Sequence, residues 1–238
     1  MHLFCCEGWD QEGSGRLVVI IGGRGSDSHI YYKYTNLSVL KDHLLAFNTV
    51  IISSGHLTDK PDRPTPRFPE NKVGVVWDHM KRQLSAWSVG PGDLAICGGA
   101  RGSDILFAEL CADRGAEVWL FISLDEKDFL EQSVRVPGTD WEQRFIALRK
   151  REGVKTFIQN EQAPASQAPT SAASSPFARA NIWMVETGKK EAPSPDKLYA
   201  ILVWDEKPAG DGPGGTADFA SRVQQAGGHV VVINPTKL

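Results

Sequence analysis

The chain has few of the features that announce metal, thiol or membrane chemistry. Its four cysteines are Cys5, Cys6, Cys97 and Cys111, and none stands in a C-x-x-C pair or at zinc-finger spacing from a histidine. A structural metal or a disulfide framework is therefore not expected. No stretch approaches the ~20 apolar residues of a membrane helix. The first ten residues hold only a short apolar patch, broken by Glu7 and Asp10, without a small-residue cleavage site. The expected setting is a reducing cytoplasm, with no membrane partner. Lys and Arg number 26 against 29 Asp and Glu, a formal charge of -3, so there is no basic field to hold a polynucleotide backbone, and nucleic acid is disfavoured as a partner. Also missing are the G-x-x-x-x-G-K-[ST] loop of P-loop NTPases, a strand-borne G-x-G-x-x-G for a dinucleotide, and a G-x-S-x-G nucleophile elbow.

What is present is a regular alternation. Apolar runs rich in Val and Ile recur at Leu17–Ile21, Thr49–Ile52, Leu94–Cys97, Glu117–Ile122, Tyr199–Trp204 and His229–Ile233, and read as buried strands. Helical periodicity falls at Leu37–Phe47, Lys72–Trp87, Asp104–Arg114, Trp141–Arg151, Phe177–Glu186 and Ala217–Ala226. Strand alternating with helix predicts an α/β fold, Rossmann-like and doubly wound, with a mainly parallel sheet and helices on both faces. With 238 residues the chain suits one domain with one sizeable core. Residues 1–48 would be a strand and helix extension packed on a core at 49–238. Residues 161–176 are almost wholly Ala, Ser, Pro, Gln and Thr, the composition of a flexible loop inside that core or of a linker.

Two strand ends carry glycine loops. Leu94-Ala-Ile-Cys-Gly-Gly-Ala-Arg-Gly-Ser-Asp104 runs a strand into Gly98, Gly99 and Gly102, with a helix starting at Ser103 or Asp104. Glycines let an anion approach backbone N–H groups, and the helix N-terminus adds a favourable dipole. Ala100 lies within this loop, and Arg101 would add a charge-assisted contact. The same residues also suit a tight strand–helix turn with Ser103 or Asp104 as N-cap. After the strand Tyr199–Trp204 comes Gly210-Asp-Gly-Pro-Gly-Gly-Thr-Ala-Asp218, where Gly212, Gly214, Gly215 and Thr216 repeat the arrangement. A third strand end offers Ser54, Gly55 and His56, and the proline-rich Arg63–Pro69 either brings Arg67 over the same crevice or simply crosses the surface. Gly22–Asp27 looks like a further copy of the first loop, yet an extended Ser28–Tyr34 follows it, so a hairpin or crossover turn is expected there.

The paired motifs, Cys97-Gly-Gly-Ala-Arg-Gly102 and Gly212-Pro-Gly-Gly-Thr216, resemble the LOG and DprA-like superfamily, often called SLOG, over roughly Thr49–Pro235. The resemblance implies a Rossmann-like fold. In the LOG branch, GGG-x-x-G and PGG-x-GT-x-x-E loops bind a nucleoside 5'-monophosphate, and an Arg and a Glu cleave its N-glycosidic bond; other SLOG units sense nucleotide-derived signals. Gly98, Gly99 and Gly102 match the first loop, with Cys97 in place of its first glycine, and Gly214, Gly215 and Thr216 match the second. Arg179 resembles the LOG arginine. Three residues on from Thr216 stands Phe219 rather than glutamate, and the nearest carboxylate, Asp218, is one position early and one methylene shorter. Two readings follow: a sensor or regulatory unit that binds a nucleotide-like small molecule without turning it over, or an N-glycosidase using Arg179 and Asp218. Neither implies a cofactor, and a homo-oligomer or an effector protein is the macromolecular partner either would suit.

Overall fold

The computed structural model describes residues 2–9, 15–22, 30–34, 47–159, 175–207 and 215–238. The chain divides into two compact units, Met1–Ala46 and Phe47–Leu238. In the first, β1 (His2–Trp9), β2 (Gly15–Gly22) and β3 (Ile30–Tyr34) form an antiparallel sheet in the order β1-β2-β3. Leu17 lies opposite Tyr34 and Ile21 opposite Ile30. Leu17–Ile21 thus joins a separate antiparallel sheet instead of the parallel one, and the chain returns from β2 as a hairpin. An apolar run by itself does not say which neighbour it will pair with. The helix expected at Leu37–Phe47 falls, up to Ala46, outside the described residues.

The second unit holds β4 (Val50–Gly55), α1 (Val73–Ala86), β5 (Leu94–Cys97), α2 (Ser103–Ala112), β6 (Glu117–Ile122), α3 (Glu126–Phe129), α4 (Trp141–Arg149), β7 (Val154–Ile158), α5 (Pro176–Glu191), β8 (Leu198–Val203), α6 (Thr216–Gln225) and β9 (His229–Ile233). Its six strands run parallel in the order β7-β6-β5-β4-β8-β9. This is a Rossmann-like α/β fold. Residues 161–174 of the Ala/Ser/Pro-rich segment lie outside the described residues, and Pro176 already opens α5, where its fixed φ suits the first helical turn.

The continuous apolar runs follow from burial on both faces. Ile51, Ala95, Cys97, Leu120 and Ile201 point to one face and pack with α1, α2 and α4 through Met80, Leu84, Phe107 and Phe145. Val50, Ile52, Leu94, Ile96, Leu198 and Leu202 point to the other and meet α5 and α6 through Trp183, Met184, Phe219 and Val223. Phe121 and Trp183 meet edge-on with ring centres 4.4 Å apart, a geometry that adds about 0.5–1.5 kcal/mol beyond area burial. The one parallel strand absent from the sequence reading is β7. At the sheet edge it is only half-buried, so Lys155 and Thr156 interrupt its apolar pattern.

From β4 the chain winds outward through β5, β6 and β7, then crosses back to place β8 on the other side of β4. The helix after β4 covers one face and the helix after β8 covers the other. Their connections part in opposite directions, which leaves a crevice beyond the carboxyl ends of these two strands.

Candidate functional site

A cavity of about 630 Å³ opens in the second unit and is lined by residues that follow β4, β5 and β6 together with the N-terminal turns of α5 and α6. Ser54, Gly55, His56, Arg67, Gly98, Ala100, Arg101, Asp104, Gly215 and Thr216, all expected at the site, line it. Gly212 and Gly214 lie outside the described residues. Gly99, Gly102 and Ser103, on the same loop, are not among the lining residues.

Gly102 has φ +81, and a Cβ built there would stand 2.7 Å from the Thr58 N and 3.0 Å from the His56 O. Only glycine takes this φ without strain and lets the loops after β4 and β5 touch. Gly102, and neither Ser103 nor Asp104, is the N-cap residue of α2. Gly99, at φ +75, would direct a Cβ toward Phe145 Cε2 at 3.3 Å, so a side chain there would report on packing rather than on ligand binding.

The first loop spends its N–H donors on the protein itself. Ala100 donates to Asp104 Oδ2 at 3.3 Å, and the Gly98 N–H also reaches the Asp104 carboxylate. Arg101 N donates to the Ser133 carbonyl at 3.0 Å, and Ser103 N to the His56 carbonyl at 3.4 Å. Asp104 is nearly buried, and burial pushes its pKa up to about 7 against the pull of the Ala100 N–H, the Ser103 hydroxyl and the Gly98 N–H. An internal carboxylate therefore holds the position the loop would otherwise offer an external anion.

Arg101 is 4% exposed and uses Nε on the Thr58 carbonyl at 3.1 Å and one terminal nitrogen on the Gln132 carbonyl at 3.5 Å. Burial lowers its pKa, opposed by the more distant charges of Asp59 and Glu70, and among the described residues no carboxylate makes an ion pair with it. The buried hydroxyls of Thr58 and Ser123, both in the cavity wall, make no hydrogen bond. Buried polar groups are normally satisfied, so these two hydroxyls keep unused hydrogen-bonding capacity in the cavity wall.

The loop Asp59–Pro69 is ordered by one side chain. Asp59 Oδ2 accepts the N–H groups of Arg67 at 2.8 Å and Phe68 at 2.9 Å, while Arg63 pairs with Oδ1 at 3.2 Å. This clasp brings Arg67 to the cavity, its Nε 3.1 Å from His56 Nε2 and 3.5 Å from Asp205 Oδ2. Asp205, just after β8, faces His56 Nε2 with Oδ1 at 3.0 Å and donates its own N–H to the same atom at 3.2 Å. Burial raises the Asp205 pKa, but hydrogen bonds from His56 and Lys207 N and the nearby Arg67 charge outweigh it, leaving the carboxyl below its ordinary value.

The two residues matched to glycosidase chemistry fall elsewhere. Among the described residues that line the cavity, neither Arg179 nor Asp218 is included. Arg179 Nε donates to the side-chain oxygen of buried Gln159 at 2.9 Å when the Gln159 amide is oriented to satisfy both its atoms. Asp218 pairs with Arg222 one turn along α6, at 2.8 Å. Gly215 is the N-cap residue of α6 and Thr216 its first residue, and among the described residues no side chain caps the turn. Glu109 is held by Arg144 at 2.5 Å. Cys97 and Cys111 are buried thiols whose pKa values burial raises, which removes them as nucleophiles.

Sequence reasoning missed Thr58, Ser123, Phe177 and Asn181, which also line the cavity. Phe177 and Asn181 share one face of α5 with Met184, at the i, i+4 and i+7 spacing that was legible as helix but not as a cavity wall. Phe177 is 43% exposed, an aromatic ring at the cavity wall.

No family model and no curated protein matches this chain. Among solved structures, DNA processing protein A (DprA) from Streptococcus pneumoniae is similar to 83% of this chain at a TM-score of 0.40 and 13% identity. The match covers 52% of the DprA chain, so this chain spans about half the length of that protein.

Proposed function

We propose that the second unit binds a nucleotide or nucleotide-derived signal in the cavity at the β4–β8 switch point, as a SLOG-type sensor or regulatory unit that leaves the ligand intact. The observation that carries this reading is the buried guanidinium of Arg101, without an ionic partner among the described residues, in the wall of a cavity beyond the strand ends. A buried charge costs several kcal/mol unless it is paired, so this one favours an anionic ligand. The volume suits a small molecule, and ligands of open α/β sheets gather at this place in the fold. Phe177 offers a planar face for a base, and the N-terminus of α6 at Thr216 adds a second positive pole.

The N-glycosidase reading needs a carboxylate within about 3 Å of the reacting centre. Asp218 is engaged with Arg222 and Arg179 with Gln159, and neither is among the described residues that line the cavity, which favours binding without turnover. Calorimetric titration of the full chain with AMP, GMP, CMP and UMP, with chromatography of the same mixtures at high protein concentration, tests both. Binding without release of free base is expected. Release of base and ribose 5-phosphate that Asp218→Asn abolishes would establish the hydrolase.

A further inference from the structure

Four polar side chains of the cavity wall divide into donors and an acceptor. The wall holds a cation, Arg101, and two hydroxyls with unmet hydrogen-bonding capacity, Thr58 and Ser123. It also holds a carboxylate, Asp104, set into the glycine loop where the N–H groups of Gly98 and Ala100 hold it. Phosphate placed on those N–H groups would have to displace Asp104 or stand against its charge, and like charges at such range repel strongly in a poorly solvated site. Arg101 lies three residues earlier on the same loop, bonded through Nε to the carbonyl of Thr58. One terminal nitrogen reaches the Gln132 carbonyl at 3.5 Å, and the remaining N–H groups, with the partnerless Thr58 hydroxyl, are donors that an anion would meet without that repulsion.

We infer that, within the nucleotide reading on which this rests, the first glycine loop does not grip phosphate with its backbone: Arg101 and Thr58 take the phosphate, and Asp104 accepts a sugar hydroxyl. The ligand class that satisfies both is one with an anionic group and a free hydroxyl a few bonds apart, as in a ribose phosphate. Asp104 then acts as a selector of ribose over deoxyribose. Asp104 Oδ2 accepts the Ala100 N–H at 3.3 Å and Oδ1 the Ser103 hydroxyl at 3.1 Å; each carboxylate oxygen has a second lone pair, and a ligand hydroxyl would donate to the one left on Oδ1.

The test is calorimetry on the full chain at about pH 8, where Asp104 is ionised. The probes are the four ribonucleoside 5'-monophosphates, their 2'- and 3'-deoxy counterparts, and the phosphate-free nucleosides. A ribonucleotide should bind about tenfold more tightly than the deoxy form lacking the contacted hydroxyl, and Asp104→Asn should remove most of that difference. Thr58→Val, which deletes a hydroxyl with no protein partner and so keeps the fold, should weaken the monophosphate about fivefold and leave the nucleoside unchanged. Arg101→Gln should weaken the monophosphate about a hundredfold, again sparing the nucleoside. A ribose preference that is absent, or that survives in Asp104→Asn, overturns the hydroxyl assignment. Unchanged monophosphate affinity in Thr58→Val, or equal losses for nucleotide and nucleoside in Arg101→Gln, overturns the phosphate seat, and Thr58→Val decides alone if Arg101→Gln does not fold. Each of these leaves nucleotide binding standing. Binding of none of the probes overturns the nucleotide reading and this inference together.

Discussion

His56 Nε2 lies 3.0 Å from Asp205 Oδ1, joining two residues 149 positions apart across the point where the sheet reverses its winding. Both side chains are nearly buried, and Arg67 closes the group from the clasped loop. The cluster ties the ends of β4 and β8 together at the cavity rim.

Removing one member should leave the others desolvated and underbonded. His56→Ala is expected to cost about 1–3 kcal/mol of unfolding free energy, because Asp205 loses its closest side-chain partner while remaining buried. Urea denaturation followed by tryptophan fluorescence measures this. A loss below about 0.5 kcal/mol, the size of an ordinary surface change, would show that the cluster does not stabilise the switch point.

Gly102→Ala should be more damaging than a glycine change on an open turn. Its Cβ would meet the Thr58 N at 2.7 Å at a backbone φ of +81, so either the loops separate or the helix start moves. A cost of about 2 kcal/mol or more is expected, with the contact between the β4 and β5 loops loosened. Gly138 also has φ +81 but open space around its Cβ position, so Gly138→Ala carries only the dihedral penalty and is the matched control. Equal melting temperatures for the two variants would contradict the steric account.

Asp104 makes stability depend on pH with a definite sign. Its pKa is raised from the ordinary value of 3.8 to about 7 on folding, so the folded chain keeps the proton that the unfolded chain gives up. The contribution is full below about pH 4 and is lost as pH rises through about 7, on the order of a few kcal/mol. Asp104→Asn has no such proton. The stability difference between Asp104→Asn and the wild type should therefore move in favour of the variant between pH 4 and 8, as read from thermal melts across that range; a constant difference would mean that Asp104 titrates in its ordinary range.

Asp218→Asn should be nearly silent in stability. Its partner Arg222 is one helical turn away, both side chains are partly exposed, and such pairs contribute about 0.3–0.5 kcal/mol, with a comparable term from the helix dipole. Unfolding free energy should fall by at most about 1 kcal/mol. Ligand affinity should be unchanged within twofold by calorimetry, whereas a tenfold loss would place Asp218 on the ligand after all.

Much of the second unit was open to reading from the residues alone. Leu94–Cys97, Glu117–Ile122 and His229–Ile233 are strands at their expected ends: the first two lie inside the sheet, where burial favours a nearly continuous apolar run, and the third, at the sheet edge with only Ile233 buried, is legible from its run of Val and Ile. The glycines after β5, and Gly215 with Thr216, fell where strand ends turn into helix. Local rules of chain conformation, acting within a few residues, were enough for these. Three things were decided only by tertiary structure. Leu17–Ile21 pairs in a separate antiparallel sheet, since pairing depends on a partner strand and not on the run itself. Asp104 folds back onto Gly98 and Ala100, turning an apparent anion loop into one that carries its own anion. Thr58, Ser123, Phe177 and Asn181 become one wall because the parallel sheet brings together segments that are more than a hundred residues apart, and that convergence depends on packing of the whole unit.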